Sequence, residues 1–163
     1  MRIFRWQQLS YLLRVLPTVL MTACSDSAFI EHRDKQLEAK VAEFFKAGDR
    51  QLEIKNTGTG DAIERFCILE PYHSRLTDKE NAVVAANEFL EKINLLPEED
   101  YWHILLKAND KYSLVRLRQA SIPLLTPTVL HMKGGSCIPE KSIILLKTTV
   151  PGRDGTFLKL GVL

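Results

Sequence analysis

Residues 102–118 read WHILLKANDKYSLVRLR, two apolar-rich segments on either side of a polar centre. Segment 102–106 carries the large apolar residues that strands favour, and segment 112–118 alternates apolar and polar residues with a period of two. Residues 108–111, Ala-Asn-Asp-Lys, have the composition of a turn. We therefore predict a strand, a turn and a second strand here.

The second of these strands has an irregular pattern of apolar residues. Tyr112, Leu114 and Leu117 are expected to point toward the interior. The last of them is out of phase with the first two, and the alternation slips at Val115. A slip of one residue within a strand is typical of a β-bulge, and we predict one there.

The segments N-terminal to this stretch predict one more pair of strands. Residues 51–55 alternate with period two, residues 56–61 have turn composition, and residues 62–69 return as an apolar segment that Pro71 ends. We expect the two segments to form a hairpin.

The C-terminal part adds further strands. Residues 143–146 form a continuous apolar run, as expected of a central strand, and 157–162 predict a last strand after a turn at 151–155. Pro123 and Pro127 interrupt any regular element between residues 119 and 141. In that region 129–132 predicts a short strand, and the pair Gly134-Gly135 predicts a flexible turn.

Two helices are indicated. Apolar residues recur at helical spacing over 34–47, with Gly48 as the stop. Thr77 to Glu80 form a capping box, and the helix that it opens is expected to run to about Leu95. Its apolar face contains Val83, Ala86, Leu90 and Ile93.

Two helices among several strands predict an α+β fold with a small, mostly antiparallel sheet, in a single domain over 34–163.

The N-terminal segment has the pattern of an export signal. Residues 1–23 contain three arginines and no acidic residue, and 15–23 form a short, almost wholly apolar run. The sequence that follows, Met21-Thr22-Ala23-Cys24, resembles the lipobox of bacterial lipoproteins, with Met21 where leucine is usual. A transmembrane anchor and an ordinary signal peptide with an incidental cysteine remain alternatives; a spanning helix needs about 20 apolar residues.

The lipobox resemblance implies a set of expectations. Residues 1–23 would be a cleaved lipoprotein signal peptide, Cys24 would be acylated and attached to the lipid bilayer, and 24–33 would be a lipidated tether. The periplasmic domain would follow. Ser25, a residue other than Asp after the cysteine, implies the outer membrane, facing the periplasm.

Composition limits the classes of partner. Without residues 1–23 the chain has 140 residues, and its formal net charge falls from +2 to −1. A near-neutral domain without a basic block is not expected to bind nucleic acid.

Two cysteines, Cys67 and Cys137, remain after lipidation. On the oxidising side of a membrane such a pair favours a disulfide, and two buried free thiols are the alternative. Neither lies in a Cys-x-x-Cys motif, so thiol-exchange chemistry is not expected.

The residue types that carry chemistry do not form a catalytic pattern. The histidines, at positions 32, 73, 103 and 131, lack metal-ligand spacing, and no serine lies in a nucleophile elbow. We expect no enzyme, no cofactor and no metal.

The best candidate for a binding site is an acidic run beside two aromatic residues, comprising Glu98, Glu99, Asp100, Tyr101 and Trp102. Such a run is more typical of a protein-docking surface than of general acid–base catalysis.

Two short segments suggest a function. Phe66-Cys67-Ile68, and 135–139 (Gly-Ser-Cys-Ile-Pro) followed by an apolar strand, resemble the type VI secretion immunity periplasmic lipoproteins; residues 71–131 carry no part of this resemblance. It implies a protein that binds and blocks a toxin acting in the cell envelope, and it defines no toxin-contacting residue. The alternative is an accessory or pilot lipoprotein of an envelope secretion or conjugation machine.

Overall fold

The computed structural model describes residues 26–77, 81–125, 134–138 and 141–162. Within these ranges the chain forms three helices and seven strands, a small α+β domain as predicted. The elements in chain order are α1 Asp26–Glu31, α2 Lys35–Lys46, β1 Gln51–Ile54, β2 Arg65–Leu69, α3 Asn81–Lys92, β3 Tyr101–Ala108, β4 Lys111–Arg118, β5 Gly135–Ile138, β6 Ile143–Val150 and β7 Arg153–Val162.

The strands form two antiparallel sheets. The four-stranded sheet has the order β4-β3-β2-β5, and the three-stranded sheet has the order β1-β6-β7. The apolar run at 143–146 lies in the middle strand of the smaller sheet, which confirms that it belongs to a central strand. The turn before β7 is shorter than predicted, because pairing with β6 already begins at Arg153.

The four-stranded sheet is covered on both faces. One face packs against α2 and the three-stranded sheet in a core that includes Phe66, Ile68, Ile104, Val115 and Leu117. The opposite face packs against α3 in a second core that includes Cys67, Leu69, Leu105, Leu114 and Cys137. Since neighbouring strand residues point to opposite faces, each of these strands contributes to both cores.

Burial on both faces explains why the predicted β-bulge at Val115 is wrong. The register between β3 and β4 is continuous from Tyr101↔Arg118 to Ala108↔Lys111. Leu114 and Val115 are both buried, one in each core. A strand that is apolar on both faces loses the alternation that a half-exposed strand shows.

The predicted hairpin of residues 51–69 is also wrong. β1 pairs with β6, whereas β2 pairs with β3 and β5. Only a single bridge, between Asn56 and Ala62, joins the two segments. The chain reverses at the predicted turn, but its two arms then diverge into different sheets, with β1 at the edge beside β6 and β2 between β3 and β5.

The helix predictions are confirmed in their main features. The Asp34 carboxylate caps α2 by accepting a hydrogen bond from the Leu37 backbone N–H at 3.0 Å. The predicted face of α3 is buried: Val83, Ala86, Leu90 and Ile93. The helix itself ends at Lys92, earlier than expected, because Asn94 has a positive φ of 52°. The capping box lies largely outside the described residues.

The segment 24–33, expected to be a tether, contains regular structure and contacts the domain. Residues 26–31 form the short helix α1. The His32 ring then makes an edge contact with Phe89 of α3, with ring centroids 5.3 Å apart, and Phe29 packs against the second core. This part of the chain is held against the domain because it carries apolar and aromatic side chains among its polar ones. Among the described residues, no helix is long and apolar enough to cross a bilayer.

Gly135 is not part of a flexible turn. It is the buried first residue of β5 and pairs with Leu69. The predicted strand at 129–132 lies outside the described residues.

Candidate functional site

An ion-paired cluster surrounds Glu98, which precedes β3. The Glu98 carboxylate accepts hydrogen bonds from Nε2 of His103 at 2.8 Å and from Nε of Arg116 at 2.6 Å. A second guanidinium nitrogen of Arg116 contacts the other carboxylate oxygen. This two-point contact fixes the direction of the carboxylate as well as its position.

Strand register places the two partners of Glu98 side by side. His103 of β3 lies directly opposite Arg116 of β4, and both point to the face that carries α3. The register follows from a tight turn in which Asn109 and Asp110 both have positive φ, as hairpin turns of two residues require.

His103 is the most enclosed member of the cluster. Its side chain is fully buried. Its second ring nitrogen, Nδ1, has no hydrogen-bond partner within the described part of the chain. Such a group is costly to bury, so the contact with Glu98 is the main polar compensation that His103 has.

Arg116 extends the cluster toward the surface and toward α2. Its guanidinium group lies 3.3 Å from the ring centre of Tyr101, a cation–π contact. Its backbone N–H donates to the Glu38 carboxylate at 2.9 Å, and Glu38 is paired in turn with Arg33. Segment 98–101 is thereby connected to the first turn of α2.

Electrostatics favour the charged form of Glu98. Partial burial alone would raise the pKa of its carboxyl group. Hydrogen bonds from His103 and Arg116, together with the positive charge of Arg116, outweigh that effect and lower the pKa of Glu98 to about 2.

This shift predicts a loss of stability in acid. The pKa of Glu98 lies below its unfolded value of 4.5, so the unfolded chain takes up the proton first as the pH falls. Stability that is present above about pH 4.5 is therefore lost as the pH falls toward 2, and we expect a contribution of about 1–2 kcal/mol after solvent screening. Urea unfolding at about pH 6 and about pH 3 measures it.

The control for this experiment is a carboxylate without a partner in the described part of the chain. Wild type should lose its advantage over Glu98→Gln between the two pH values, whereas its difference from Glu88→Gln, which removes an exposed carboxylate of α3 that makes no hydrogen bond or ion pair within the described residues, should change far less. An advantage over Glu98→Gln that is unchanged by pH would contradict the assignment.

The five residues of the predicted binding surface have different environments. Glu99 and Asp100 are exposed, Tyr101 is partly buried under Arg116, and Glu98 is engaged in the cluster. Trp102 is only 3% exposed and belongs to the main core. It cannot contact a partner without disturbing that core, so we remove it from the candidate surface.

Sequence reasoning missed two exposed residues of this region. Tyr72 is 63% exposed, and its hydroxyl donates to the Glu99 carboxylate at 2.7 Å, which raises the pKa of that hydroxyl. Leu96 is 64% exposed and lies two residues before Glu98. An exposed tyrosine in a turn and a leucine beside a proline give little signal in the sequence alone.

The cysteine prediction is confirmed. Cys67 of β2 and Cys137 of β5 form a disulfide, lie directly opposite each other in the four-stranded sheet, and are buried in the second core. Cys24, the predicted lipidation site, lies outside the described residues.

Metal ligands are not grouped in the part of the chain that the structure describes: it contains no cluster of three or more His, Cys, Asp or Glu side chains. His131 lies outside that part.

A cleft of about 680 Å³ is present elsewhere, beside residues 30–36 and the β3–β4 turn. It is lined by side chains of both charges, including Glu31, Asp61, Lys35 and Lys111, and they do not define a ligand.

No family model, curated protein or solved structure matches the chain.

Proposed function

We propose that this chain is a lipid-anchored envelope protein that acts by binding another protein, and that it is an immunity protein which neutralises a cell-envelope toxin of type VI secretion. The observation that carries the proposal is the fixed segment 98–101. It presents exposed acidic side chains while its first residue, Glu98, is held by His103 and Arg116.

Rigidity of this kind is what a tight inhibitor needs. A surface that is already ordered before binding loses less conformational entropy when the partner arrives. The cluster fixes segment 98–101 at one end of β3, and the Cys67–Cys137 disulfide ties the neighbouring strands β2 and β5 together. Both features favour a protein-binding role.

The lipobox-like sequence supplies the second support. Acyl chains on Cys24 would hold the domain at the periplasmic side of the outer membrane, where an envelope toxin acts. Each buried methylene contributes about 0.8 kcal/mol, so several chains give lasting attachment.

Deletion of the gene tests this function. A deletion strain should be outcompeted by wild-type sister cells only when those cells carry the toxin gene beside this gene. The wild-type chain should restore protection. Cys24→Ala should incorporate no labelled palmitate and protect far less at equal abundance, because the acyl anchor concentrates the protein at the membrane.

Two results would count against the proposal. A deletion strain that loses secretion or conjugation while resisting attack normally would favour the accessory or pilot lipoprotein. A wild-type protein without an acyl group in mass spectrometry would remove the lipoprotein assignment.

A further inference from the structure

Two exposed apolar side chains flank the acidic segment. Tyr72 and Leu96 are each more than 60% exposed. The backbone N–H of Tyr72 donates to the carbonyl oxygen of Glu98 at 3.0 Å, which brings Tyr72 close to the segment that contains Leu96. We call Tyr72, Leu96, Glu99 and Asp100 the Tyr72 surface.

Tyr72 is held in its exposed position by several contacts. Its φ of +66° lies in the left-handed region, which is costly for a residue with a large side chain. Its hydroxyl is bonded to Glu99. The Asn87 side chain of α3 both accepts from the N–H and donates to the carbonyl of Leu76, further along the same loop. The loop that carries Tyr72 is therefore anchored to α3 through Leu76, and the Tyr72 hydroxyl is anchored to Glu99.

The charge of the Tyr72 surface is negative. Within the described residues no ion pair neutralises Glu99 or Asp100. The Arg116 guanidinium group, which stacks on the neighbouring Tyr101, is already paired with Glu98. Arg118 lies opposite Tyr101 at the end of the hairpin and forms no ion pair with either carboxylate among the described residues.

We infer that the Tyr72 surface docks a segment of a partner protein that carries lysine or arginine next to an aliphatic or aromatic side chain. The apolar part of that segment would cover Tyr72 and Leu96, and its cation would face Glu99 and Asp100. A second copy of this surface is a poor occupant, because it would bring the same carboxylates together. The inference rests on the proposed protein-binding function and adds the chemistry of the partner.

Selection from a displayed library of random linear peptides tests the inference with the full chain immobilised in detergent. We expect the selected peptides to be enriched in lysine or arginine beside a leucine or an aromatic residue. Their binding should weaken as salt is raised, because exposed charges are screened. In Tyr72→Asn the ring is lost while the left-handed backbone is tolerated, and affinity should fall by about tenfold or more.

The matched control is Val84→Ala, which shortens another exposed apolar side chain, on α3. It should leave the affinity of the selected peptides within about twofold of wild type. Replacing Glu99 and Asp100 with lysine should reverse the charge preference. Far-UV circular dichroism confirms that each variant is folded.

Three outcomes would overturn the inference: selection without enrichment over the unselected library, acidic selected peptides, or binding that is unchanged in folded Tyr72→Asn. These outcomes leave the competition assay unaffected, since that assay uses the wild-type chain. A protective protein whose Tyr72 surface selects no basic peptide would bind its toxin elsewhere.

Discussion

Replacing Cys67 and Cys137 together with alanine should lower the free energy of unfolding by about 4 kcal/mol. The disulfide closes a loop between residues 70 positions apart, and the conformational freedom that this loop regains in the unfolded chain is the main source of the loss. It also ties β5, a four-residue edge strand, to β2. Urea unfolding followed by far-UV circular dichroism measures the change.

Wild type in reducing agent is the matched control, because it breaks the same bond without removing either sulfur. It should lose nearly as much stability as the double variant. A small domain has a total stability of about 5–15 kcal/mol, so the reduced protein should unfold in far less urea. Equal unfolding midpoints with and without reductant would contradict the prediction, as would free alkylation of both thiols in the native protein.

The sequence is most informative where a tight turn determines which residues lie opposite each other on two paired strands. Asn109 and Asp110 mark the turn between β3 and β4, and once the pairing starts at Ala108↔Lys111, His103 must lie opposite Arg116. Two members of the ionic cluster are therefore already implied by a tight turn at those residues. Glu98 could not be added in this way, because it lies in a loop whose path depends on where α3 ends.

The pairing of β1 could not be read from its own sequence. Residues 51–54 alternate as a strand should, but that pattern suits any neighbour. Their partner, β6, begins 89 positions beyond the end of β1, at Ile143. The short separation from β2 favoured a hairpin, whereas packing of the two sheets around one core selects the distant partner.

The burial of Trp102 shows why a candidate surface is harder to predict than a fold. Tyr101 and Trp102 are adjacent aromatic residues, and sequence alone gives both the character of an interface. In a strand they point to opposite faces. Tyr101 lies on the same face as Arg116 and is only partly buried, whereas Trp102 points into the main core.

Gly135→Ala should destabilise the domain by at least about 4 kcal/mol. Gly135 is the first residue of β5 and pairs with Leu69 of β2. A Cβ atom there would lie 2.0 Å from the carbonyl oxygen of Ile68, which is backbone and cannot rotate away. The φ of Gly135 is also +114°, a value that residues with a side chain rarely adopt. Two costs therefore add at one position in the sheet that carries the disulfide.

Gly155→Ala separates these costs. Gly155 lies in β7 with a similar φ of +106°, but a Cβ atom there meets nothing within 4 Å. This variant should lose only the backbone term, about 2 kcal/mol, and remain folded. Urea unfolding of the two variants beside wild type gives the cost of the close approach as their difference. Equal losses in both would mean that β5 can shift away from β2 at Gly135, and would contradict the predicted cost of the close approach.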